Sequence, residues 1–167
     1  IQLFEALESI PPRLGHLSLL TDISGEGLSK RLGSLSLKDL RQEGFQPMAI
    51  SSLLSKVGTS DAIDIFKNIN QIIDDFDINK FGKSKPKFDK VELLNLNAKF
   101  FQLTNFDDIS NQLNNLDFEI TTEFWNLIKG NINTFNDIKF WWDIVYGKIK
   151  TINDDHEFTH LALKTLP

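Results

Sequence analysis

Two short stretches of this sequence carry residue types suited to chemistry. The first, GEGLSKRLG at residues 25–33, sets Lys30 and Arg31 side by side between glycines. A lysine on a glycine-flanked loop is a compact point charge on a flexible stem, able to follow phosphate oxygens as negative charge shifts toward a transition state. The same residues also fit a basic turn with two solvated cations, and so short a match does not choose between the readings.

The second stretch, HEFTH at residues 156–160, fits the H-E-x-x-H pattern. In that pattern two imidazoles one helical turn apart hold zinc, and the glutamate activates water. Helical spacing argues against it here. His156 and His160 fall opposite the face made by Phe158, Leu161 and Ala162, and only seven residues follow in which to find a third ligand. The stretch reads as a solvated helix face, and no metal site is assigned.

A third feature is electrostatic. Residues 1–60 carry six basic and six acidic groups, 61–125 seven and twelve, and 126–167 five and five, so the net charge of −5 lies in the middle of the chain. An acidic chain is not a general nucleic-acid binder. Yet within the acidic part, NKFGKSKPKFDK gathers Lys80, Lys83, Lys85, Lys87 and Lys90 against Asp89 alone. Such a cluster is either a solvated linker or a set of phosphate contacts.

The composition sets outer bounds. With 167 residues and 41% hydrophobic content, the chain is able to bury a core as one domain or two small ones. Cysteine is absent, which excludes disulfides, thiolate zinc sites and a cysteine nucleophile. No apolar run approaches the roughly 20 residues of a membrane span, and no leader pattern is visible, so the expected location is cytoplasmic. The sequence opens with Ile1 in mid-pattern, which suggests a piece of a longer chain.

The elements around these residues follow from periodicity and caps. Residues 13–24 read as a short β element bounded by Gly15 and Gly25. Ser36 and Asp39 form a capping box for a helix stopped by Gly44. Pro47 opens a helix with an apolar stripe of Ile50, Leu53, Leu54 and Val57, ended by Gly58. Asp61 is expected to cap a further helix running through Ile65, Ile69, Ile72 and Phe76. Asp89 and Glu92 form a capping box for a helix to Leu103. Helices then follow from Thr122, from Thr134 with Asp137, and from near Asp155. The class is mainly α with a small β element near the start, and helical spacing assigns Trp125 and Trp141 to core packing.

The order of these landmarks resembles one family. Residues 11–60, PPRLGHLSLLTDISGEGLSKRLGSLSLKDLRQEGFQPMAISSLLSKVGTS, are similar to bacterial glutamyl-tRNA synthetase, a class I aminoacyl-tRNA synthetase, around its Lys-Leu-Ser-Lys-Arg loop. FDKVELLNLNAKFF, WWDIVYGKI and EFTHLALKTLP extend the similarity over nearly the whole chain. The resemblance implies ATP-dependent attachment of glutamate to tRNA through glutamyl-adenylate. It implies that Gly27, Leu28, Ser29, Lys30 and Arg31 form the ATP-binding loop, with Lys30 catalytic and Mg²⁺ accompanying ATP in the parent enzyme. Gly27 departs from the pattern, since many members carry lysine there.

The resemblance further implies a division of the chain. Residues 1–103 would hold the end of the catalytic domain and the stem-contact domain; residues 104–167 would begin the helical anticodon-binding domain. The partners implied are tRNA, with Lys83, Lys85 and Lys87 as candidate contacts, and ATP and glutamate through a preceding nucleotide-binding domain. Neither DNA nor a membrane is expected as a partner, and the chain is expected to be monomeric. As an internal fragment it is expected to be inactive alone, with no cofactor bound. A non-catalytic helical tRNA-binding or adapter module is the alternative.

Overall fold

A computed structural model describes residues 1–28 and 36–147, together with His160 and Lys164. Among the described residues there are eight α-helices: α1 Gln2–Ala6, α2 Leu37–Gln42, α3 Pro47–Lys56, α4 Ile69–Asp75, α5 Lys90–Leu103, α6 Phe106–Leu113, α7 Thr122–Ile128 and α8 Asp137–Tyr146. A 3₁₀ turn at Ile78–Lys80 precedes the lysine-rich loop. The mainly α reading holds.

Capping decides where several helices start. Ser36 accepts the Asp39 N–H while the Asp39 carboxylate accepts the Ser36 N–H, the reciprocal box the sequence announces. Pro47 occupies the first turn of α3, where its missing N–H costs nothing. Asp89 caps α5 by accepting the Val91 N–H, so the expected box with Glu92 is replaced by a one-sided cap. Thr121 caps α7 through the Phe124 N–H.

Gly44 ends α2 with φ +86°, and a Cβ there would meet the backbone nitrogens of Phe135 and Asn136 at 2.9 Å. Only glycine satisfies both conditions. The close approach lets the Phe135 N–H donate to the Gly44 carbonyl at 2.9 Å.

Two expectations need correction. No strand forms among the described residues; the segment 13–24 contributes only isolated bridges from Thr21, antiparallel to Gly27 and parallel to Lys87. Leu14, Leu17 and Leu19 stay exposed, so the segment has neither a ladder nor a buried face to make it a strand. The helix expected from Asp61 begins only at Ile69. Before it, side chains take the backbone donors that a helix needs: Asp64 accepts the Ile65 N–H, Ser52 the Phe66 N–H and Gln71 the Lys67 N–H. Asp61 itself pairs with lysines.

The hydrophobic residues bury into two clusters that meet along α5. Leu40, Phe45, Ala49, Leu53, Phe88, Leu93 and Leu96 form one, with α3 laid against α5. Phe101, Ile109, Leu113, Phe124, Trp125, Ile128, Ile132 and Ile138 are central to the other. Trp125 is fully buried and donates its indole N–H to the Thr104 carbonyl at 3.1 Å; Trp141 packs half-buried on the same cluster.

Between the clusters stands Asn97, fully buried on α5. Its Oδ1 accepts the Gln46 N–H at 2.7 Å, and its Nδ2 donates to the Asn133 carbonyl at 2.6 Å. Gln46 and Gln112 add a reciprocal amide pair at 3.1 and 3.2 Å. Replacing Asn97 with leucine, of similar volume, strands the buried Gln46 N–H, and should cost about 2 kcal/mol in urea unfolding. A loss below about 0.5 kcal/mol would show that the amide is not a structural junction.

Candidate functional site

The predicted loop residues divide at the edge of the described region. Gly27 and Leu28 are described, whereas Ser29, Lys30 and Arg31 lie outside the described residues. Leu28 is exposed. Among the described residues, a Cβ added to Gly27 would meet only Leu19 Cδ2, at 3.9 Å.

The turn that leads to Gly27 is organised by one carboxylate. Asp22 Oδ1 accepts the Ser24 N–H at 2.9 Å, the Ser24 hydroxyl at 2.5 Å and the Glu26 N–H at 3.0 Å. The Asp22 N–H donates to the Glu26 carbonyl at 2.8 Å, closing the turn. The Ser24 hydroxyl, followed by the backbone donors, holds the Asp22 carboxyl below its ordinary range.

Thr21 joins this turn to the lysine-rich loop. Its N–H and its hydroxyl both donate to the Pro86 carbonyl, at 2.9 and 3.2 Å, and its carbonyl accepts the Phe88 N–H at 2.7 Å. One register away, the Ser18 hydroxyl donates to the Lys83 carbonyl at 3.0 Å. The two stretches that the sequence singles out, around Gly27 and around Lys87, thus flank one residue. The far side of the lysine loop is fixed by the Gly82 N–H on the Gly58 carbonyl at 2.8 Å and by Phe88 in the core.

The five lysines of that loop have different fates. Lys80 pairs with Asp61 at 2.9 Å and Lys90 with Glu43 at 2.5 Å. Lys83, Lys85 and Lys87 are exposed and make no ion pair among the described residues. They are the cations of this loop left available to an external anion.

Asp61 also binds Lys56, a buried lysine at the end of α3 that reaches Asp75 as well. The Asp75 and Asp61 carboxylates raise the Lys56 pKa, and the Lys56 and Lys80 ammonium groups lower that of Asp61. The network ties α3, α4 and the start of the lysine loop together. Its groups serve each other and leave no spare carboxylate poised for acid–base work.

Among the described residues no group of three His, Asp or Glu side chains could hold a metal. His160 is exposed; His156 and Glu157 lie outside the described residues. No helix among the described residues is long and apolar enough to cross a membrane.

The family of tRNA synthetases class I (E and Q), catalytic domain, matches residues 1–95, more than half of the chain. The chain belongs to that family. Members of this class I family are among its curated relatives. It is 50% identical to the glutamate–tRNA ligase of Azospirillum brasilense over 114 residues, which are 68% of this chain and 26% of that protein. All of it aligns with glutamate–tRNA ligase 2 of Orientia tsutsugamushi (strain Boryong) at 40% identity and with glutamate–tRNA ligase 2 of a Ruegeria species at 37%, covering 38% and 39% of those proteins. The class I chain thus spans from about a quarter to two fifths of these relatives' length.

Solved structures show the same fold. A glutamate tRNA ligase from Elizabethkingia meningosepticum, in complex with its amino acid, superposes on 98% of this chain with TM-score 0.69 at 22% identity, using 39% of its own length. The glutamate-tRNA synthetase of Elizabethkingia anophelis matches 83% of this chain, and 34% of its own, with TM-score 0.59 at 22% identity.

Sequence reasoning missed Thr21, Asn97 and α6. For α6 a signal existed: Phe106, Ile109 and Leu113 repeat at helical spacing behind two acidic residues in the first turn. For Thr21 and Asn97 there was none, because their partners lie 65 and 51 residues away in the chain.

The lysine–aspartate network gives a pH-dependent expectation. Asp61 titrates below its ordinary 3.8, so its contribution to stability is present above that value and disappears as pH falls through the lower folded-state pKa. Lys56 titrates above 10.5, so its contribution persists below that value and is lost only as pH rises through the higher folded-state pKa. Asp61→Asn should therefore lower the thermal midpoint at pH 7, with the gap from the parent closing in strong acid. A gap that stays constant from pH 7 down to pH 2 would contradict the assignment.

Proposed function

We propose that this chain is the part of a glutamate–tRNA ligase that carries the second ATP-contacting loop and the first tRNA-contacting helices. The observation that carries the reading is the alignment of the whole chain with proteins named glutamate–tRNA ligase at 37–40% identity. The order of landmarks around Lys30 agrees with it. In this reading residues 1–103 comprise the end of the catalytic domain and the stem-contact domain, and residues 104–167 begin the anticodon-binding domain.

The chemistry assigned to the chain is electrostatic. Lys30 meets the phosphates of ATP as glutamate attacks the α-phosphorus and pyrophosphate departs. Its ammonium group offsets the negative charge that accumulates on the leaving oxygens. Gly27, Leu28, Ser29 and Arg31 shape the loop around it. Mg²⁺ arrives with ATP as part of the substrate, and no step is assigned to it here. Glutamate binding and the remaining phosphate contacts belong to the preceding domain, so the chain alone is assigned no ligase activity. A cytoplasmic setting fits this work.

Lys83, Lys85 and Lys87 are assigned to phosphates of tRNA. Such contacts position an RNA without reading its bases. An adapter module without catalysis shares this part of the reading and differs only over Lys30.

Two experiments separate the parts. In the full-length ligase, Lys30→Ala should slow glutamyl-adenylate formation about a hundredfold or more, and an unchanged rate would leave the adapter reading standing. Replacing Lys83, Lys85 and Lys87 with alanine should weaken tRNA binding and flatten its dependence on log salt by about one unit of slope per lysine. An unaltered slope would remove these residues from the RNA interface.

A further inference from the structure

We infer that Thr21 is a positioning residue for the nucleotide loop, fixing Gly27 and Leu28, the root of that loop, on the Pro86–Phe88 segment. The inference rests on the ATP-loop reading above and adds to it a residue that never touches the nucleotide.

Burial singles Thr21 out. Among the described residues before Leu40 it alone is buried, at 1% exposure. Leu14, Leu17, Leu19 and Ile23 around it are exposed, and only its neighbour Leu20 packs, partly buried, on the N-terminal cluster. Leu20 holds the stretch to the core, and the orientation of the turn beyond it falls to the Thr21 side chain and backbone.

Geometry supplies the direction of the effect. The turn from Asp22 to Glu26 is closed by its own hydrogen bonds on Asp22, so it is carried as a unit by whatever holds its ends. Thr21 is the first of those ends and is bridged to Gly27 at the other. Its three hydrogen bonds to Pro86 and Phe88 connect the unit to the core through Phe88. The Pro86 carbonyl, with two lone pairs, receives both Thr21 donors. The hydroxyl fixes the rotation of the bridge residue in a way that one backbone bond does not.

A loop whose root is displaced binds ATP less well even when every phosphate contact is intact, because orientation is then re-established at each encounter. Thr21→Val keeps the β-branched shape and removes only the hydroxyl, whereas Thr21→Ser keeps the donor. In ATP–pyrophosphate exchange by the full-length ligase, Thr21→Val should raise KM for ATP about fivefold, with kcat and KM for glutamate within about twofold of the parent. Thr21→Ser should restore KM for ATP to within about twofold.

Three results would overturn the inference: Thr21→Val indistinguishable from the parent, Thr21→Ser as impaired as Thr21→Val, or KM for glutamate rising as much as KM for ATP. Lys30→Ala measured in parallel separates the two levels. If it abolishes exchange while Thr21→Val does nothing, Thr21 alone loses its role. If it leaves exchange intact, the ATP-loop reading fails and the positioning role fails with it.

Discussion

One buried carboxamide holds the described fold in register. Asn97 lies where the N-terminal and C-terminal clusters meet, and its two ends face opposite polarities: an N–H at the start of α3 and a carbonyl in the loop before α8. An amide supplies an acceptor and a donor in one small planar group without charge. Leucine would fill the space but leave Gln46 unpaired, and aspartate would bring a charge into a site with nothing to neutralise it. The Gln46–Gln112 pair and the backbone bond from Phe135 to Gly44 reinforce the same corner. Hydrophobic burial supplies most of the driving force on either side; the amide specifies how the sides meet.

The proposed functional surface is built outward from that frame. Phe88 takes a place in the core beside α3, and the lysine loop just ahead of it is pinned again at Gly58. Thr21 hangs the Asp22–Glu26 turn on this base, with Gly27, the root of the proposed ATP loop, on one side of it and the exposed Lys87 on the other. Local ion pairs retain Lys80 and Lys90 and leave Lys83, Lys85 and Lys87 facing water. The acidic middle of the chain therefore still presents a basic edge, made by neutralising the lysines at both ends of the loop and sparing those between.

What the sequence made legible follows the range of the forces involved. Ser36 with Asp39, Pro47 and Asp89 act within one turn, and each helix start they announce is present. The apolar stripe of α3 and the burial of Trp125 follow from helical periodicity. Residues 61–68 misled because their spacing is helical while their backbone donors go to Asp64, Ser52 and Gln71, the middle one from another helix. Residues 13–24 misled because β propensity needs a partner ladder, and only Thr21 finds partners, as isolated bridges. Of the candidate site, the lysines that stay unpaired depend on where Asp61 and Glu43 lie in space, which no local pattern encodes.

The account stands on the claim that α5 makes the two clusters one cooperative unit. The sequence contains three tryptophans, and Trp125, Trp141 and Trp142 all lie in or against the C-terminal cluster, so their emission reports that half alone, while far-ultraviolet circular dichroism reports helices of both. The direct test is urea unfolding of this chain followed by both signals. The account predicts superimposable transitions with one midpoint, as a two-state unit requires. A tryptophan transition clearly displaced from the helical one would contradict it, and would mean that Asn97 does not couple the two clusters into one unit.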